Sequence, residues 1–155
     1  MHVPAWLMCL TDTSSLRESV RGQETGGPDV IELRYDKDID AAIFEASGRV
    51  TVNEYEESLD RFVKQPFFRL NMNTIWDLRK AEAGQVTAQD VRSIVFRSTQ
   101  SAVVRGSTWK TAIVVEGTLK YGLARMFEFF ANGAPYQMAI FKTMEEAREW
   151  VKELN

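Results

Sequence analysis

Cysteine and histidine are nearly absent from this chain. Cys9 is the single cysteine and His2 the single histidine. One thiol cannot form an internal disulfide, so nothing marks an oxidising compartment. One imidazole beside the first residue excludes most zinc sites and any Ser-His or Cys-His nucleophile system. No metal and no cofactor is expected. An excess of positive charge is lacking too: 19 Lys and Arg against 22 Asp and Glu leave a net charge of −3. With no basic run to offset that balance, a nucleic-acid partner is not expected. Long hydrophobic runs are also missing. Residues 5–10 form the longest near the start, too short for a membrane span or a signal core. No basic segment precedes it. Leu7-Met8-Cys9 has a passing likeness to a lipoprotein cleavage box, but Met8 stands where a small residue is needed. The expected location is the cytoplasm.

What remains is ordinary for a globular protein: 155 residues, 45% hydrophobic and 26% charged. That length fits one domain, able to bury roughly two-thirds of its unfolded surface. Residues 1–28 are polar and turn-rich from Thr11 onward and end in Gly26-Gly27-Pro28. They read as a loosely held extension, with residues 29–155 as the α/β domain.

The centre of that domain is the stretch from Trp109 to Phe130. The β-branched run Ala112-Ile113-Val114-Val115 fits a strand buried on both faces. Glu116-Gly117-Thr118 breaks the run, with Thr118 placed to cap a helix. Leu119, Leu123, Met126, Phe127 and Phe130 then recur at helical spacing. Similar units surround this one. Residues 30–36 alternate as a half-solvated edge strand, and 42–46 return as its antiparallel partner. Thr51 with Glu54 forms a capping box, and Val52, Tyr55, Leu59, Phe62 and Val63 form that helix's apolar stripe. Pro66 stops it. Residues 74–78 make a third strand. Thr87 with Asp90 starts a helix whose inner face is Val91, Ile94, Val95, Ser98 and Ala102, ending at Gly106. Residues 137–141 make the fifth strand, and Thr143 with Glu146 starts the last helix, packed by Met144, Ala147, Trp150, Val151 and Leu154. The order is ββαβαβαβα: a five-stranded, mostly parallel mixed sheet with four helices, the first strand antiparallel at an edge.

This order, with Trp76-Asp77-Leu78-Arg79 at the third strand and Tyr121-Gly122-Leu123-Ala124-Arg125-Met126-Phe127-Glu128 in the third helix, resembles the SpoIIAA-like (STAS-like) family of small bacterial proteins over residues 30 to 154. The resemblance implies a non-enzymatic regulatory or protein-interaction module. The better-understood relatives are anti-sigma-factor antagonists that bind a partner kinase and are switched by phosphorylation, and others of the fold resemble lipid-transfer (CRAL-TRIO-like) domains. The antagonists carry an Asp-Ser phosphoacceptor at the start of the second helix. Here residues 79–87 contain no serine, and Thr87 is the only hydroxyl nearby.

Ligands of parallel α/β sheets sit beyond the carboxyl ends of the strands. That rim brings Asp77 and Arg79 together with Glu116 and Thr118, and Tyr121, Arg125 and Phe129 follow on the third helix. A small anionic or amphipathic ligand held by Arg79 and Arg125 against the aromatics is one reading. A structural ion pair is the other. Asp77 and Glu116 are also the one carboxylate pair that suits a hydrolase. Phe96 and Val103 lie off the core face of the second helix and make a candidate interface, with a second copy or a regulatory protein as partner. The expectations, in order, are a regulatory module, a lipid or amphipathic-ligand binding domain, and an enzyme.

Overall fold

The computed structural model describes residues 30–153; the extension expected over residues 1–28 and Leu154 lie outside them. The strands are β1 (Ile31–Asp36), β2 (Ala41–Arg49), β3 (Asn73–Glu82), β4 (Lys110–Val114) and β5 (Gln137–Phe141). The helices are α1 (Val52–Val63), α2 (Ala88–Gln100), the single turn α3 (Ala102–Arg105), α4 (Thr118–Phe130) and α5 (Met144–Lys152). The sheet order follows the sequence, β1-β2-β3-β4-β5. β1 is antiparallel to β2 and every other pairing is parallel, as the short first connection and the helical crossovers require.

Side chains alternate along each strand, so the sheet has two unlike faces. Ile43, Ile75, Ala112 and Val114 project to one side, where Ala147 and Val151 of α5 cover them. Phe44 and Trp76 project to the other, stacked with ring centroids 4.0 Å apart, and pack against Tyr55, Leu59 and Phe62 of α1. Ile113 and Val115 share that second side with Ala124 of α4. β4 is buried along its whole length. Its Lys110 belongs to the α5 side, where the ammonium donates to the carbonyls of Trp150 (3.0 Å) and Glu153 (2.7 Å). A cation at the carboxyl end of α5 answers both its free carbonyls and its dipole.

The threonine-led starts hold for three helices. Thr51 and Glu54 form the reciprocal capping box of α1, and Thr87 and Asp90 that of α2. Thr143 caps α5 through the Glu146 N–H at 3.2 Å. The fourth start differs from the expectation. Gly117, not Thr118, is the N-cap of α4, and no side chain caps that helix. With φ at +93°, Gly117 turns the chain sharply out of β4 in a conformation that threonine would resist, and Thr118 becomes the first helical residue.

Two other expectations are corrected. β2 and β3 run on past residues 46 and 78 to Arg49 and Glu82, after a register shift between Glu45 and Ser47. Leu119, expected on the buried stripe of α4, is 60% exposed, and Ala124 is that helix's one fully buried residue. Leu123 and Phe127, on the side of α4 toward the sheet, are half-buried and line a cavity, and Leu119 lies outside that lining.

Candidate functional site

α1, α2 and α4 do not close flat onto the sheet. They leave a cavity of about 580 Å3, within the ~300–1,000 Å3 range of small-molecule sites. Its mouth lies at the carboxyl ends of β2 and β3, where Arg49, Glu82, Gly84, Gln85 and Lys120 reach solvent. The overrun of β2 and β3 builds one wall of this mouth through Ala46 and Ala81. The walls are apolar: Leu78, Ile94, Ile113, Leu123, Phe127 and Met138.

The floor is different. It lies toward the amino ends of β4 and β5, where Tyr55, Ser98, Arg105, Thr111 and Tyr136 meet. Arg105 is the last residue of α3 and only 2% exposed. Its guanidinium lies over the Trp109 ring, 4.2 Å from the centroid, and 5.3 Å from that of Phe62. Trp109 in turn stacks on Tyr136 at 4.8 Å. One Nη reaches Thr74 Oγ1 at a long 3.5 Å, and Nε has no acceptor. The Tyr136 hydroxyl is equally without a partner. No carboxylate among the described residues pairs with Arg105, and burial lowers its pKa to about 10. It stays protonated at neutral pH all the same. The same burial raises the Tyr55 phenol to about 12, against the opposing pull of the Ser98 hydroxyl and the Arg105 charge.

Gly106 fixes the direction in which Arg105 leaves the helix. Its φ of +100° and ψ of −170° are open to glycine alone among residues without strain. Asn71, on the loop before β3, ties this corner down. It donates its N–H to the Arg105 carbonyl at 2.6 Å and accepts from the Thr108 N–H at 3.0 Å.

The residues singled out on the rim have other partners, and none lines the cavity. Arg79 holds Asp77 in a bidentate pair at 2.9 and 2.7 Å, which keeps that carboxyl below its ordinary range. Asp77 is thereby held ionised, an arrangement that fits a structural tie better than proton transfer. Glu116 is exposed, and its charge favours the protonated Arg79. Arg125 pairs with Glu128 on its own helix. Thr118 is exposed at the start of α4, Tyr121 is 44% and Phe129 is 75% exposed. The Thr87 hydroxyl is engaged with Asp90 in its capping box. Phe96 and Val103 do point away from the core, at 60% and 91% exposure.

Arg105 escaped the reading of the sequence, although a signal was present. Counting on from Ser98 and Ala102 in steps of four and three lands on it, so it continues the inner stripe of α2. A cation on a core stripe is rarely buried unless paired, which makes such a position informative. Tyr55 and Ser98 carried the same signal, polar groups on apolar faces.

No protein-family model matches the chain, and no curated protein does so significantly. Among solved structures it is similar to an uncharacterised protein of the DUF3478 family with a SpoIIAA-like fold from Shewanella loihica PV-4. The TM-score is 0.52 at 16% identity, covering 78% of this chain and 91% of that one. The likeness bears out the SpoIIAA-like architecture and extends to the fold alone. Among the described residues no helix is long and apolar enough to cross a membrane, and no group of His, Cys, Asp and Glu is placed to hold a metal.

Proposed function

We propose that this protein is a non-catalytic binding module whose cavity takes a small amphipathic molecule. The observation that carries this reading is the apolar cavity itself, open at one end and polar at the other, between layers that are otherwise closely packed. Filling such a space with apolar atoms is favourable at roughly 25 cal/mol per Å2 of surface removed from water. Among the described residues, Glu82 and Asp90 are the carboxylates lining it and both lie at the mouth, where Asp90 is held by Thr87. The floor hydroxyls have no base beside them. This reading puts the amphipathic-ligand role ahead of the regulatory one, and moves the site from the rim to the space beneath α1, α2 and α4.

The test is uptake of a fluorescent apolar probe by the full chain, with Ala124→Phe as the comparison. Ala124 is buried on the cavity wall. A phenyl ring there occupies part of the space and obstructs it beside Leu123 and Phe127, so probe affinity should fall at least tenfold, about 1.4 kcal/mol. The melting temperature should hold or rise, because filling a void restores lost contacts. Equal, unsaturable probe uptake by both proteins would remove the reading.

A second role has its own observation. Phe96 on α2 and Val103 and Val104 on α3 expose large apolar groups, at 60%, 91% and 52%. Pairing of two such faces across a twofold axis would bury them. Phe96→Glu should then stay folded by circular dichroism and sediment as a monomer where the parent sediments as a dimer. A parent that is monomeric at high concentration ends the homodimer proposal.

A further inference from the structure

The strongest unexplained feature is a buried positive charge that no carboxylate among the described residues answers. Burying an ion without its counter-ion is among the costliest arrangements a core can hold. Arg105 is 2% exposed, and aromatic faces stand where carboxylates usually do. Cation–π contact offsets part of that cost. It does not satisfy the N–H donors: one Nη has only the long bond to Thr74 Oγ1, and Nε has no acceptor. The Tyr136 hydroxyl adds a second orphan donor to the same floor. A core built for stability alone would do better with a methionine and a phenylalanine at these two positions.

We infer that the ligand is a monocarboxylate with an elongated apolar body, bound head-inward with its carboxylate on the Arg105 guanidinium and the Tyr136 hydroxyl. This rests on the cavity being a ligand site and adds the ligand's charge, shape and direction.

Each part has its reason. A carboxylate presents two oxygens to a planar fork of N–H donors, the pairing for which guanidinium is suited. One charge is enough, because Arg105 is the one cation at the floor among the described residues. Lys110 sits on the opposite face of the sheet, bonded to the carbonyls at the end of α5. Tyr55, Ser98, Thr74 and Thr111 bring hydroxyls and no further charge. A phosphate dianion would therefore bury a surplus negative charge. The body is apolar because Leu78, Ile94, Ile113, Leu123 and Phe127 line the way from floor to mouth. It is elongated because the cavity runs along the strands, from the amino ends of β4 and β5 to the carboxyl ends of β2 and β3.

Calorimetric titration of the full chain with dodecanoate, dodecanol and dodecyl phosphate separates the outcomes. Dodecanoate should bind at least tenfold more tightly than dodecanol, in line with a charged hydrogen bond of ~1.5–3 kcal/mol. Arg105→Gln should bring the two within about twofold of each other and leave dodecanol unchanged, since only the charged bond is lost. Should that variant fail to fold, Tyr136→Phe serves. It removes an unpaired buried hydroxyl, so it should fold at least as well as the parent and lose several-fold in dodecanoate affinity alone. Equal affinities for acid and alcohol in the parent would overturn the carboxylate assignment and leave the cavity reading standing. Tighter binding of dodecyl phosphate would overturn it in favour of a phosphate head. Saturable uptake of the apolar probe without binding of dodecanoate overturns the inference alone. Failure of the probe as well overturns both.

Discussion

Val114→Asp should unfold the domain. Val114 is fully buried in β4, an interior strand between β3 and β5, against Ala147 and Val151 of α5. A carboxylate there would find no cation among its neighbours; Lys110, on the same strand face, is held by the end of α5. The cost of an unpaired buried carboxylate is several kcal/mol, a large part of a total stability of about 5–15 kcal/mol. Loss of the cooperative thermal transition by circular dichroism is the expected result. A cooperative melt within a few degrees of the parent would show that β4 is not a buried strand.

The second large effect belongs to Gly106→Ala, at the half-buried corner behind the cavity floor. A β-carbon at this position would stand 2.2 Å from Asn71 Oδ1 and 3.2 Å from the Asn71 backbone nitrogen. It would also impose an alanine on a backbone conformation that glycine alone accepts readily, at a cost of ~1–3 kcal/mol before the clash is counted. Asn71 must then release the Thr108 N–H, and the corner that aims Arg105 loosens. A loss of roughly 2–4 kcal/mol, or roughly 5–15 °C in melting temperature, is expected. Binding should weaken in the surviving folded fraction. Unchanged stability would mean that the corner relaxes freely and that Gly106 does not position Arg105.

Much of the architecture could be read from the chain because its signals are local. The switch from the all-apolar run 112–115 to helical spacing marks β4 and α4. The boxes at Thr51 and Thr87 place two helix starts to the residue. Where the reading slipped, a local rule met a non-local cause. Arg79 to Glu82 is polar and reads as a loop, yet the register shift in β2 lets the ladder continue through it. Thr118 has the chemistry of a cap, but the positive φ at Gly117 moves the helix start by one residue.

The site was less legible, for a related reason. Charged residues at strand ends invite a rim site, and Asp77 and Arg79 are close as expected, but they satisfy each other. A cavity is a statement about where three helices fail to meet a sheet. Helix spacing gives the faces of α1, α2 and α4 without their distances. Leu123 and Phe127 look the same in sequence whether they touch a strand or a ligand. Arg105 was the charged residue whose chemistry contradicted its place on a stripe, with Tyr55 and Ser98 as weaker cases.

Native mass spectrometry of the full chain incubated with an excess of mixed medium-chain fatty acids tests the cavity most directly. One adduct per chain is expected, saturating at that stoichiometry and lost in Ala124→Phe. A bare chain mass throughout, or a ladder of adducts that never saturates, would contradict it.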